Sequence, residues 1–313
     1  MTTQLDSEVL RTVLPDAIAG QRLDQALATA FPEYSRQRLQ VWIRAGRVTV
    51  DSLLIDDVKR KVWGGEKIDL AVDLVGSPLV DVPENIPLAI IHEDESLIVL
   101  DKPAGLVVHP ANGNWNGTML NALLHHAPAL QSVPRAGIVH RLDKDTSGLL
   151  VVAKTLVAQT DLVRQLQART VTRAYAALVH GDVVGAGEVD APIGRDPHVR
   201  TRMAIVAGGK PARTVYRATR RFDGYTLLEC HLDTGRTHQI RVHLRSIGHP
   251  LVGDPVYIGR NIAKRGIDFP RQALHAIRLG LVHPNSGLSM TWSSPMPADL
   301  RKLLRALPAA RAV

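Results

Sequence analysis

The chain has 313 residues, 45% of them hydrophobic, a formal charge of +8 and a pI near 9.9, which suits one large and one small globular domain and an anionic partner. Its only cysteine is Cys230, which excludes a disulfide framework within the chain and a cysteine-rich zinc site. No stretch approaches the ~20 apolar residues of a membrane span, and residues 1–20 carry no apolar run behind a basic start, so a soluble cytoplasmic protein without a signal peptide is expected.

Residues 1–19 show little pattern and read as a loose lead-in tail. The first organised block is residues 20–75. Ser35 is a candidate N-cap, Leu39, Trp42 and Ile43 follow at helical spacing, and Gly46 suits the position just past the helix. Residues 48–50 read as a short strand, and residues 67–72 as another after the Gly64-Gly65 turn. Arg36, Arg38, Arg44 and Arg47, then Lys59, Arg60 and Lys61, load this small block with cations. They form a candidate phosphate-binding face, or equally a solvated helix surface. Residues 76–87, with Gly76, Ser77, Pro78, Pro83 and Pro87, read as a linker.

From residue 88 to the end at 313 the pattern becomes short β-type runs at 88–91, 97–100, 149–152, 175–179, 225–232 and 279–282, with helical patterns at 118–127 and 158–168. Strands outnumber helices and do not alternate with them regularly. That predicts an α+β fold with a mixed sheet rather than a doubly wound one. Arg22-Leu23-Asp24 echoes Arg141-Leu142-Asp143, but the flanks differ and the echo reads as chance.

Polar residues concentrate in residues 137–154. Ile138 and Val139 lead into His140, Arg141, Asp143, Lys144, Asp145, Thr146 and Ser147, and Gly148 opens the apolar run 149–153. Such bunching between buried runs fits a loop held rigidly over a core, a common place for a site, and fits an ordinary polar turn as well. In residues 233–244, Arg236, His238, Arg241 and His243 could face a polyanion or pair with a carboxylate. His238 and His243 as metal ligands lack a nearby third ligand. Tyr175 sits just inside a strand, where a half-buried packing tyrosine is the commoner case. No phosphate-cradling loop, dinucleotide fingerprint or nucleophile elbow is present, so chemistry on side chains with neither cofactor nor metal is expected.

Residues 140–148, His-Arg-Leu-Asp-Lys-Asp-Thr-Ser-Gly, resemble the central motif of the RluA/RluD family of pseudouridine synthases. Residues 100–105, 172–175, 235–243, 249–257 and 273–276 match further motifs in the family's order, and residues 133–137 lead into the central motif as in its RluD branch. The resemblance covers residues 88 to about 300, and residues 20–75 are similar to an S4 RNA-binding domain. It implies a pseudouridine synthase fold with a central mixed, largely antiparallel sheet, preceded by a small S4-like α/β domain. Two departures stand out. Asp51-Ser52 occupies the place of the usual Asn-Gly hairpin turn, and Ser147 replaces a Thr.

The resemblance also implies the activity: breaking the N1–C1′ bond of a uridine in RNA and rejoining the ribose to C5, with no cofactor. It places the catalytic carboxylate at Asp143, as nucleophile or as base. Arg241 is its partner, since an opposite charge favours a carboxylate's ionised form and fixes its orientation. Tyr175 lies against the uracil. Arg141 fills the space left by the flipped base, His140 also binds the substrate RNA, and Leu244 lines the pocket. Lys144, Asp145 and Thr146 fix the loop. Arg36, Arg38, Arg44, Arg47, Lys59, Arg60 and Lys61 dock RNA backbone. The implied partner is 23S ribosomal RNA, at helix 69, free or within the assembling 50S subunit, met by a monomer. Two rivals keep other outcomes open. An RNA chaperone or assembly factor would survive Asp143→Asn, and a nucleoside hydrolase-like enzyme would release free uracil.

Overall fold

The computed structural model describes residues 7–32, 34, 36–73, 82–110, 114–199, 201–259 and 267–310. The chain divides into two compact units, Met1–Val80 and Asp81–Val313. Ser35, the expected helix cap, the side chain of Arg38 and most of the expected linker's first half lie outside the described residues.

The first unit is a four-stranded antiparallel sheet packed on two helices. Its elements are β1 (Ser7–Val13), α1 (Leu23–Ala30), α2 (Arg36–Arg44), β2 (Val48–Val50), β3 (Leu53–Ile55) and β4 (Lys67–Asp73), with sheet order β1-β4-β2-β3. Leu23, Ala26 and Leu27 of α1 and Leu39, Trp42 and Ile43 of α2 bury at i, i+3, i+4 spacing against Val48, Val50, Ile68 and Leu70. The lead-in tail is a correction: β1 pairs with β4 from Ser7↔Asp73 to Val13↔Lys67, and Leu14 and Ile18 join the core. Alternation is blurred there because Val9 and Val13 face out at an exposed edge while Leu10 packs inward. The Asp51-Ser52 turn does close the β2–β3 hairpin. Both residues take positive φ, 51° and 69°, and Asp51 accepts the Lys67 N–H at 2.9 Å.

The second unit is built on a nine-stranded sheet. Its strands are β5 (Ile90–Glu93), β6 (Leu97–Lys102), β7 (Ser147–Ala153), β8 (Thr172–His180), β9 (Ala186–Asp190), β12 (Arg213–Phe222), β13 (Tyr225–Leu232), β14 (Leu274–Val282) and β15 (Ser289–Ser293). The order is β5-β6-β7-β14-β8-β13-β12-β9, with β15 on β14; β10 (Ile193–Arg195) and β11 (Met203–Ile205) form a separate ribbon. Only β7 and β14 run parallel; the other pairs are antiparallel. The sheet is therefore mixed and largely antiparallel, in an α+β fold.

Helices cover both faces, which is why the central strands are apolar throughout rather than alternating. Leu150 and Val152 of β7 meet α3 (Met119–His126) and α5 (Gln239–Ser246), while Leu149, Val151 and Ala153 meet α4 (Leu156–Ala168). A last helix, α6 (Ala298–Ala306), buries Leu300, Leu303 and Leu304 against Leu178 and Phe222. Thr118 caps α3 in a capping box with Asn121, and Thr155 caps α4.

Candidate active site

The loop carrying Asp143 runs into β7 at the one parallel junction of the sheet, where Ser147 faces His275 and Gly148 faces Ala276. Gly148 has φ +112°, and a Cβ there would collide with the Ala276 backbone, so only glycine lets β14 approach this closely. The loop is held from several sides. The buried Lys102 ammonium donates to the carbonyls of Pro103 at 2.8 Å and of Leu106 and Lys144 at 2.9 Å. Burial pulls its pKa down to about 8 against the raising charges of Asp145 and Asp143. Arg271 forks onto Asp299 of α6 at 2.7 and 3.1 Å and donates to the Asp145 carbonyl at 3.0 Å. Gln272 donates to the Thr146 hydroxyl at 3.2 Å. Beneath them Ser147, His275, Ser294 and Asp101 form a polar chain, at 2.9, 3.3 and 2.7 Å in turn.

Asp143, with 15% of its side chain exposed, meets Arg241 of α5: Arg241 Nη1 donates to Asp143 Oδ2 at 3.0 Å. Arg241 itself is almost wholly buried. Its Nε and Nη2 fork onto Asp254 at 2.7 and 2.9 Å, and Asp254 also accepts the N–H groups of Val256 and Tyr257. Burial disfavours the guanidinium's charge, but Asp254 and Asp143 more than reverse that and raise its pKa. The guanidinium also lies over the Tyr257 ring, 5.0 Å from its centroid.

His238 precedes α5 in a left-handed conformation, φ 57°, which aims its Nε2 at Asp143 Oδ2, 4.0 Å away. Met203 N–H donates to the Tyr257 hydroxyl at 2.9 Å, and that hydroxyl lies 2.8 Å from His238 Nδ1. With the hydroxyl donating to Nδ1, the neutral ring carries its hydrogen on Nε2, toward Asp143. Burial lowers the His238 pKa despite the opposing charge of Asp143. Tyr175, on β8 beside Ala276 of β14, is nearly buried; burial first, and the Asp143 charge with it, raise its pKa against the pull of Arg173.

Residues 96–246 match the RNA pseudouridylate synthase family and residues 21–68 the S4 domain. Over 97% of its length the chain is 58% identical to the ribosomal large subunit pseudouridine synthase D of Nitrosomonas europaea, covering 90% of that protein. The chain belongs to the RNA pseudouridylate synthase family. It is thus an isomerase acting on uridine in RNA. Two further relatives carrying the same name, from Pasteurella multocida and Haemophilus influenzae, are each 51% identical over 93% of the chain and 92% of the relative. Among solved structures, human RNA pseudouridylate synthase domain containing 1 aligns with 72% of the chain and 98% of its own, at 25% identity and a TM-score of 0.55.

In this pseudouridylate synthase the other expected site residues are dispersed. Arg141 is exposed on the loop that carries Asp143. The His140 ring is turned inward: its Nε2 accepts the Val151 N–H at 3.0 Å, and burial drives its pKa down to about 3. Leu244 has no exposed surface; it lies in the same hydrophobic core as Tyr175 and Ile240 rather than on an open wall. His243 is buried with its nitrogens on Thr214 and Ala191, apart from His238. In the S4 unit Arg36 bonds the buried Asp24 at 2.7 and 2.9 Å, joined there by Arg22 and Gln40. Arg44, Lys59 and Lys61 are exposed, and Arg47 and Arg60 partly so. The Arg22-Leu23-Asp24 echo therefore marks a second arginine-bound aspartate. Sequence reasoning gave no role to Lys102, Asp254, Tyr257, Arg271 or His275, although all but Arg271 lie in the motifs that carried the family resemblance.

Proposed function

We propose that this chain converts uridines of 23S ribosomal RNA to pseudouridine, at the helix 69 stem-loop, acting as a cytoplasmic monomer on free RNA or on the assembling 50S subunit. The Asp143–Arg241 pair beside Tyr175 carries this reading, together with relatives 51–58% identical whose names specify the large ribosomal subunit.

The target uridine leaves its stack, which costs a few kcal/mol. Arg141, exposed on the loop, takes the vacated place, because a guanidinium stacks on bases and bonds phosphate together. His140 supports it by anchoring the loop to Val151. Arg241 occupies Asp143 Oδ2, so Oδ1 serves the substrate, as nucleophile or as base toward the ribose. The N1–C1′ bond breaks, the base turns, and C1′ joins C5. The C5 proton then departs to solvent and N1 takes one up, so the product is an isomer of the substrate. Tyr175 keeps its own proton because burial raises its pKa, so its hydroxyl packs on the uracil and relays. In the S4 unit Arg36, Arg38, Arg44, Arg47, Lys59, Arg60 and Lys61 hold RNA backbone, reading shape more than duplex sequence.

The test is pseudouridine mapping of total RNA from a deletion strain complemented with wild type or Asp143→Asn. Loss at 23S positions restored by wild type alone is expected. Maps unchanged in all strains would overturn the reading.

A further inference from the structure

The S4 unit presents a tryptophan to solvent that neither the core nor the reading above uses. Trp63 is 67% exposed, whereas Trp42 of the same unit is 2% exposed. Asp57 to Arg60 form a turn, closed by the Arg60 N–H donating to Asp57 O at 3.2 Å. Residues 60–62 then run antiparallel to residues 20–23: Gly20 N–H donates to Val62 O at 2.8 Å, Val62 N–H to Gln21 O at 3.0 Å, and Leu23 N–H to Arg60 O at 2.7 Å. Val58 and Val62 join the core, while Lys59 in the turn, and Lys61 and Trp63 after it, are exposed. Alternate residues of an extended chain share a face about 7 Å apart. The Lys61 ammonium and the Trp63 indole therefore share one face, with Lys59 exposed in the turn just before it and Arg60 partly exposed between the lysines.

This face is rigid. Trp63 N–H donates to Glu66 Oε1 at 2.6 Å, Gly65 N–H to Leu14 O at 2.7 Å, and Leu14 N–H to Glu66 O at 3.0 Å. Gly64, at φ +89°, lies so close to the Asp16 backbone that a Cβ would collide with it. Of the nearby carboxylates, Asp57 Oδ1 accepts the Lys59 backbone N–H at 2.8 Å and Glu66 Oε1 accepts the Trp63 backbone N–H at 2.6 Å. An exposed indole on a hydrogen-bonded backbone beside cations matches single-stranded nucleic acid, whose bases each offer a π-face and whose phosphates attract the lysines. A protein partner would have to accept the same cations, and a paired duplex has no free base face to give.

We propose that Lys59, Lys61 and Trp63 form a strip for single-stranded RNA, with an unpaired base stacked on the Trp63 indole and the lysines on the flanking phosphates. The strip rests on the reading that the substrate is an RNA stem-loop, and it assigns the loop, rather than the stem, to the S4 unit.

The test compares the full chain with its Trp63→Ala, Trp63→Phe and Lys59→Ala/Lys61→Ala variants. Each is titrated at several salt concentrations with a stem-loop RNA and with a fully paired RNA duplex. Trp63→Ala is expected to weaken stem-loop binding roughly 5- to 100-fold and to leave duplex binding within about twofold. Trp63→Phe keeps most of the affinity, since a phenyl ring still stacks, but loses the fluorescence quenching that RNA causes in the wild type. The double lysine variant weakens both RNAs and reduces the salt slope by about two. Wild-type protein that binds neither RNA would overturn the substrate reading and this strip with it. Wild-type binding that Trp63→Ala leaves intact, or that it weakens equally for stem-loop and duplex, overturns the strip alone.

Discussion

Arg241 divides one guanidinium between two carboxylates: Nε and Nη2 are taken by Asp254, and Nη1 alone reaches Asp143. Asp254 is fully buried and further fixed by two backbone N–H groups, so it sets where Arg241 can stand. Asp143 then docks onto a cation already in place. Asp254→Asn should leave a buried guanidinium short of a charge and destabilise the fold by about 3 kcal/mol or more. It should also lower kcat by about 10- to 100-fold, through misplacement of Arg241 and Asp143. Asp143→Asn should do the reverse: isomerisation falls by at least about 10²–10⁴-fold, while urea unfolding changes far less, because Asp254 still neutralises Arg241. Equal stability losses in the two variants would contradict this division of roles.

Tyr175 and Leu244 share a core but should fail differently. Tyr175→Phe removes a hydroxyl and keeps the packing, so activity should fall by about 10²-fold or more while thermal stability holds. Leu244→Ala opens a cavity in a fully buried site and should cost about 2–5 kcal/mol, with a smaller loss of activity per folded molecule. Single-turnover rates alongside urea titrations distinguish the two.

Acid should destabilise this protein before its carboxylates titrate. Burial drives His140 down to about 3, and burial with the charges of Arg135 and Arg141 drives His109 down to about 4. His180, His238, His243 and His275 are shifted the same way, each mainly by burial. These folded values lie below the unfolded value of about 6.5. The unfolded chain therefore binds the extra protons, and stability complete above pH ~6.5 is lost as pH falls toward 3–4. Denaturant titrations from pH 7 to pH 5 should show a steady decline, shallower in His140→Gln. The depressed carboxylates Asp24 and Asp94, the latter at about 2, act only below that range. A flat profile between pH 7 and pH 5 would refute the assignment.

Gly148→Ala tests the parallel junction. Its positive φ and the nearness of the Ala276 backbone leave no room for a methyl group, so a loss of roughly 2–4 kcal/mol is expected, together with a displaced Asp143 loop and lost activity. Gly185→Ala, at a positive φ in open space, provides the control. It should cost about 1 kcal/mol and leave turnover unchanged.

The sequence by itself determined the α+β class, because strand-length apolar runs outnumber the helical patterns and do not alternate with them regularly. It also singled out Asp143 as the expected catalytic carboxylate, because residues 140–148 resemble the family's central motif. It left β1, α1, β12 and α5 unassigned. In β1 and β12 the exposed edge or an arginine-rich face breaks the alternation. In α5 the inward positions include Arg241 and His243, charged or polar residues that a hydrophobic period cannot register. Burying them is tolerable only because of partners far along the chain: Asp143 lies 98 residues from Arg241, and Ala191 52 residues from His243. Tertiary structure alone decided those pairings, and with them the direction of Arg241, the contact of His238 with Tyr257 and the inward turn of His140. A buried charge takes its meaning from the group that neutralises it, and only the folded chain brings the two together.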